Sequence, residues 1–245
     1  MQGARTSVLD EDRSLGEAIP ESRREAARLA STAGTVVLGA GGWRPAGDAD
    51  HARGGYGLLI LDGLMIRRVG FAGRYAAEVL SAGDLLRPWE FDGDAGGVLP
   101  LESTWRVLNP ARLGVLDFAW AGRLSQFPQI GTELAGRALA RSRRLAALMA
   151  IVQLPRLDDR LWLLFWELAD RFGRVHADGV HLDLPLTHEL LSHLAAARRP
   201  SVSGALTRLA QAGRLRREGR SWILVGEPPA VEPAGSAATS AVFPY

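Results

Sequence analysis

The chain has 245 residues, 47% of them hydrophobic, and a formal net charge of +2. That is enough apolar content for one large or two ordinary cores, with no overall charge to drive binding. Cysteine is absent, which excludes disulfides, thiol nucleophiles and cysteine-ligated iron–sulfur clusters.

All 29 basic residues are arginine. Residues 1 to about 20 are polar and read as loose. Met1 to Glu11 carries two acids and no apolar run, so it does not read as a secretory signal. Pro20 to Ala30 has helical composition, with the proline near its start. From Thr35 to about Asp117 the texture changes to short β-like runs punctuated by glycine. Tyr56–Leu61, then Asp62-Gly63, then Leu64–Val69 predicts a hairpin, because Asp-Gly supplies the positive φ of a two-residue turn. Arg74–Leu80, ending at Gly83-Asp84, and Ala111–Phe118 read as further strands. Strands of this length and spacing predict a sandwich or roll rather than a parallel sheet.

Ile130 to Gln153 is alanine, leucine and arginine with scarcely a breaker, which predicts a long helix. Ala138, Ser142, Leu145, Met149 and Val152 fall at alternating four- and three-residue steps, a narrow stripe suited to a partner helix. The same stripe could instead pack on its own β domain. Pro155 breaks the pattern, and Leu157–Phe172 forms a second helix with Leu161, Leu164, Phe165 and Leu168 on its buried face. Leu161–Leu168 is too short to span a bilayer and contains Glu167, so a soluble, cytoplasmic protein without membrane contact is expected. From Glu227 the tail is rich in proline, alanine and serine and reads as disordered.

Leu184 to Val225 reads as a winged helix-turn-helix. Thr187 suits the N-cap of a short helix, held by Leu190, Leu191 and Leu194. The turn Ala195-Ala196-Ala197 leads into a second helix, whose first turn accepts Pro200 and whose inward face is Val202, Leu206 and Leu209. Its exposed side carries Arg199, Ser201, Ser203, Thr207 and Arg208. A hairpin follows over Leu215–Val225. Between Arg198 and Arg220 there are seven arginines (198, 199, 208, 214, 216, 217, 220) against one acid, Glu218. Such a density on a small module suits a phosphate backbone. Arg199, Ser201 and Ser203, early on the second helix, are candidates for base edges, Arg198, Arg216, Arg217 and Arg220 for phosphates, and Thr187, Thr207 and Arg208 complete the candidate DNA-contact set. A winged helix used for protein contact, with its arginines solvated, is the other reading.

These residues resemble the Crp/Fnr superfamily of bacterial transcription regulators. The resemblance rests on Gly63 and Gly83-Asp84, on Leu157–Leu161 after the long helix, and on Thr187 through Gly219, in that order along nearly the whole chain. It implies an α+β fold: an N-terminal antiparallel β-roll (a double-stranded β-helix like a cyclic-nucleotide-binding domain), a long dimerisation helix and a C-terminal winged helix-turn-helix. The implied divisions are a tail and helix over 1–34, a sensor-like roll over 35–129, the dimerisation helix over 130–153, the DNA-binding domain over 154–226 and a tail over 227–245. The implied partners are double-stranded DNA, a second copy of the chain and RNA polymerase, with an unidentified small-molecule effector in the roll.

The chain departs from the family pattern. Leu85-Leu86-Arg87-Pro88-Trp89-Glu90 follows the Gly-Asp turn, and Glu102-Ser103 aligns where cyclic-nucleotide members hold the phosphate. A carboxylate there repels a phosphate. Leu145 and Ala146 stand where polar residues meet the purine. Binding of cyclic AMP or GMP is therefore not expected, and no cofactor is assigned. The oxygen-sensing cysteines are absent, and His51 is the only histidine in the roll. Arg199 matches the first base-reading arginine, but Pro200 replaces the usual glutamate and Gly204 the second arginine.

Enzymatic chemistry has little support. There is no lysine for a phosphate loop, His188 and His193 lack metal-ligand spacing, and Asp92 and Asp94 lack the rest of a calcium loop. A ligand-binding module working through protein contacts is the rival functional reading.

Overall fold

The structure is a computed structural model that describes residues 4–47, 49–91 and 98–229. Asp92 and Asp94, and the tail beyond Pro229, lie outside these. The chain divides into two compact units, Met1–Ala150 and Ile151–Tyr245.

In the first unit, β1 (Arg5–Ser7), the short α1 (Val8–Glu11) and α2 (Glu21–Ala30) precede β2 (Thr32–Leu38) and β3 (Gly41–Trp43). The sequence reads residues 1–20 as loose. Instead Val8, Leu15 and Ile19 are fully buried. Their polar neighbours hide this in a sequence, but three large apolar side chains suffice to anchor the segment. Next come β4 (Gly57–Phe71), β5 (Arg74–Ser81), the two-residue β6 (Leu85–Leu86) and β7 (Glu102–Leu116). The sheet is antiparallel in the order β1-β2-β7-β4-β5, with β3 on β7 and β6 on β4. The unit ends with α3 (Phe118–Arg123) and most of α4 (Pro128–Val152).

The expected Asp62-Gly63 hairpin is not a turn. β4 runs through it, and its register against β7 shifts between Ile60 and Met65. Gly63 holds φ +104°, and a Cβ there would lie 2.5 Å from the Ala111 Cα. A bulge in a continuous strand therefore uses the glycine the hairpin reading assigned to a turn. The real turn is Ala72-Gly73, with φ of 51° and 73°, a two-residue loop that pairs Phe71 with Arg74. Ala111–Phe118, expected as a separate strand, is mostly the end of β7.

Buried Leu58 and Ile60 join Met65, Leu80, Trp105 and Leu113 in one core cluster. The alternate residues Leu59 and Leu61 join Val8, Leu116, Trp120, Ile130 and Leu134 in another. A strand buried on both faces reads as a continuous apolar run. Asp117 caps α3 by accepting from the Trp120 amide at 2.7 Å, and the Trp120 indole donates to the Ser31 carbonyl at 2.9 Å.

The second unit holds α5 (Leu157–Phe172), the hairpin β8 (Gly173–His176) and β9 (Gly179–Leu182), α6 (His188–Leu194), α7 (Arg199–Gln211), β10 (Leu215–Glu218) and β11 (Ser221–Leu224). The strands form one antiparallel sheet ordered β10-β11-β9-β8. Leu161, Leu164, Phe165 and Leu168 of α5 are buried, as are Val202, Ala205, Leu206 and Leu209 of α7. The Phe165 and Trp222 rings meet at 5.2 Å. The β8–β9 hairpin is absent from the sequence reading, although Asp178-Gly179 signals it. Among the described residues no helix is long and apolar enough to cross a membrane.

Candidate nucleic-acid interface

α6 and α7 form the helix-turn-helix. Thr187 takes the extended cap conformation, and its hydroxyl accepts from the Leu190 amide at 3.1 Å. That oxygen is committed to the helix, so the residue positions α6. Between the helices, Ala196 carries φ +48° and the Ala197 amide donates to the Ser192 carbonyl at 2.9 Å.

Arg198 and Arg199, at the start of α7, are exposed and form no ion pair among the described residues. Ser201 is exposed. Ser203 is half-buried; its hydroxyl donates to the Arg199 carbonyl at 3.3 Å and lies 2.8 Å from His188 Nδ1. The exposed Thr207 hydroxyl donates to the Ser203 carbonyl at 3.1 Å. Arg208 donates from Nε at 2.8 Å and Nη2 at 2.6 Å to the two carboxylate oxygens of Asp158 on α5. Hydrogen bonds from Arg208 hold the Asp158 carboxyl below its ordinary range.

The wing is the β10–β11 hairpin, turned at Gly219-Arg220. A strand sends successive side chains to opposite faces, so Arg216 and Arg217 diverge. Arg216 donates from Nη2 to Asp178 at 2.5 Å, and its Nε lies 3.4 Å from Glu218. The Arg217 guanidinium sits 5.0 Å from the centre of the Trp222 ring. Arg220 is exposed at the tip. Arg214 instead lies over Trp162, 5.8 Å from the ring centre.

The first unit holds a second group of arginines, beside a cavity of about 260 Å³. Arg137, Arg141 and Arg144 recur at four- and three-residue steps on one face of α4. Arg137 pairs with Asp12, Arg141 with Glu78 at 2.5 Å and Arg144 with Asp84 at 2.9 Å. Arg67 of β4 also reaches Glu78 at 2.5 Å. Burial pulls the Arg67 guanidinium below its ordinary value, opposed by the Glu78 charge and reinforced by Arg141. Three residues of the α4 stripe (Ala138, Ser142 and Leu145) line this cavity, whereas Met149 is 69% exposed and Val152 half-buried. Neither Glu102 nor Ser103 lines it. Glu102 is exposed on β7 and accepts from the Tyr75 hydroxyl. The charged lining of the cavity is instead Arg67 of β4, Asp84, Arg87 and Glu90 on either side of β6, and Arg137 and Arg141 of α4. Among the described residues no group of histidines and acids could hold a metal.

Residues 159–232 match the family model of the Crp-like helix-turn-helix domain. The regulatory protein CysR of Synechococcus elongatus is 34% identical over 80 residues, a match that spans 31% of this chain and 39% of that protein's length. A CRP-family transcriptional regulator from Thermus thermophilus superposes with a TM-score of 0.57 at 20% identity, covering 78% of this chain and 92% of that one. A cyclic nucleotide-binding domain containing protein from Listeria monocytogenes gives 0.61 at 14% identity, covering 77% and 87%. At such identities the superpositions carry the fold, and the family model carries the C-terminal domain. Residues 159–232 thus belong to the Crp-like helix-turn-helix domain family, and the chain shares the fold of the CRP-family regulator it superposes on.

Proposed function

We propose that this protein is a transcription regulator that binds duplex DNA sequence-specifically as a homodimer, with α7 in the major groove and the wing on the flanking backbone. The observation that carries this is the exposed arginine surface of the second unit: Arg198 and Arg199 at the start of α7, and Arg216, Arg217 and Arg220 on the wing. The first turn of such a helix meets base edges, and surrounding guanidinium groups hold phosphates. Arg199 and Ser201 take the base-reading role, with Ser203 held by His188 and Thr207 alongside. Residues 154–226 are the DNA-reading division, 35–129 the sensor-like roll and 130–153 the dimerisation element. For the last, the exposed Leu139 and Met149 on α4 support pairing with a second copy. The cavity beside α4 already brings Arg67 and Arg141 onto Glu78, which supports the view that no cyclic nucleotide occupies it in the usual way. RNA polymerase is the protein partner this role calls for, and the cytoplasm its place.

The test is binding of the full chain to a randomised duplex pool, followed by titration of selected and random duplexes at several salt concentrations. A dimer holding several phosphates per subunit is expected to lose affinity steeply as salt rises. Arg199→Ala is expected to weaken binding to the selected duplex by about 1–3 kcal/mol, with a smaller loss on random duplex. A chain that enriches no sequence and shows no salt dependence overturns the reading and leaves protein contact as the use of this surface.

A further inference from the structure

Gly204 occupies the middle of the outward side of α7. A Cβ at this position would meet a single neighbouring group within 4 Å, Nη1 of Arg208 at 3.5 Å. Arg208 lies one turn further along, and helical side chains lean back over the preceding turn. Its guanidinium thus lies alongside Gly204, at a distance that a Cβ there would meet as ordinary van der Waals contact.

Asp158 fixes the guanidinium there. The carboxylate takes Nε at 2.8 Å and Nη2 at 2.6 Å, the side-on fork. An arginine has five N–H groups, so three remain, and one each on Nη1 and Nη2 form the end-on fork. Two parallel donors on a rigid plane match the adjacent N7 and O6 acceptors of guanine in the major groove. The Arg208 side chain is 58% exposed, whereas that of Asp158 is 20% exposed, so the arginine can reach a ligand while its support stays fixed.

We propose that Arg208 is a sequence-reading residue directed at guanine and that Asp158 is its positioning residue. This rests on the DNA-binding reading above. Asp158 lies 50 positions away on another helix, so no local pattern announces the pair.

The test uses the full chain and the duplex it selects from a random pool, with single-base variants of that duplex and a random duplex as controls. Arg208→Ala and Arg208→Lys are both expected to reduce the ratio of selected to random affinity roughly 10-fold or more. The loss should centre on one guanine, where base preference collapses. Lysine keeps the charge but not the planar fork, so a phosphate contact would survive that change and a guanine contact would not. Asp158→Asn is expected to erode preference at the same guanine while thermal unfolding confirms the fold. Equal losses on selected and random duplexes, or an unaltered base preference in Arg208→Lys or Asp158→Asn, overturn the proposal. Should Arg208→Ala fail to fold, Arg208→Lys decides. If the unmodified chain selects no sequence, the DNA-binding reading itself falls, a different failure from selection that ignores Arg208.

Discussion

The two units use the same cation in opposite ways. In the first, Arg67 and Arg141 are 11% and 16% exposed at their side chains and share Glu78, which is 8% exposed. In the second, Arg198, Arg199 and Arg220 are exposed without an ion pair among the described residues, and Arg216 is 49% exposed. An enclosed guanidinium must be matched by a carboxylate or the unit does not hold; an exposed one contributes little to stability and stays available. Arginine content therefore says nothing about function until burial divides it. Seven arginines near the C-terminus attract attention in the sequence, while three on α4 are equally regular and face inward.

The largest test of this division is Glu78→Gln. It leaves Arg67 and Arg141 enclosed together without their shared counter-charge, and a cost of about 3–5 kcal/mol is expected. Denaturant titration, with amide exchange followed in β4 and β5, reads it. A loss below about 1 kcal/mol would mean that solvent already screens the cluster and that the contrast between the units is one of degree. A smaller effect of the same kind belongs to Asp12. Burial alone would raise its carboxyl, but hydrogen bonds from Arg137 and Ser14 outweigh this and hold it below the ordinary aspartate value. A group depressed in the fold stabilises in full above its unfolded value, near pH 4, and loses that contribution as pH falls through the folded value. Acid titration is expected to show a destabilising limb below about pH 4 that shrinks in Asp12→Asn. An unchanged limb removes Asp12 from the clamp.

What the sequence disclosed follows the same line between local and distant. Leu157–Phe172 is recovered to the residue because its apolar spacing and the proline just before it are local signals. Thr187, Pro200 and the wing are equally local signals. The roll is less legible, because β4 and β7 pair between segments far apart in the chain and a bulge at Gly63 mimics a turn in sequence. The true turn at Ala72-Gly73 requires alanine at positive φ, which no propensity suggests. Arg141 and Glu78 meet over 63 positions, and Arg208 and Asp158 over 50. The candidate helix was legible, then, but not which of its arginines is supported.

Stability in the second unit is expected to come from caps and apolar packing rather than charge. Thr187→Ala removes the acceptor of the Leu190 amide and is expected to cost about 1 kcal/mol, read as a lower denaturant midpoint for α6 and α7. If the midpoint does not move, the cap is redundant with the packing of Leu190, Leu191 and Leu194.

The smallest expected change in stability comes from the wing, and it marks the other side of the division most sharply. Arg217→Ala and Arg220→Ala touch no enclosed carboxylate, so together they are expected to alter unfolding by no more than about 0.5 kcal/mol. Their effect belongs in the salt dependence of duplex binding, where each phosphate contact removed lowers the slope of log affinity against log salt by about 0.9. Arg216 provides the internal control. It donates to Asp178, so Asp178→Asn releases it, and a steeper slope is expected if that carboxylate competes with phosphate for it. A double variant that unfolds as readily as Glu78→Gln, with an unaltered salt slope, would show the wing arginines to be structural and would erase the difference between the two units.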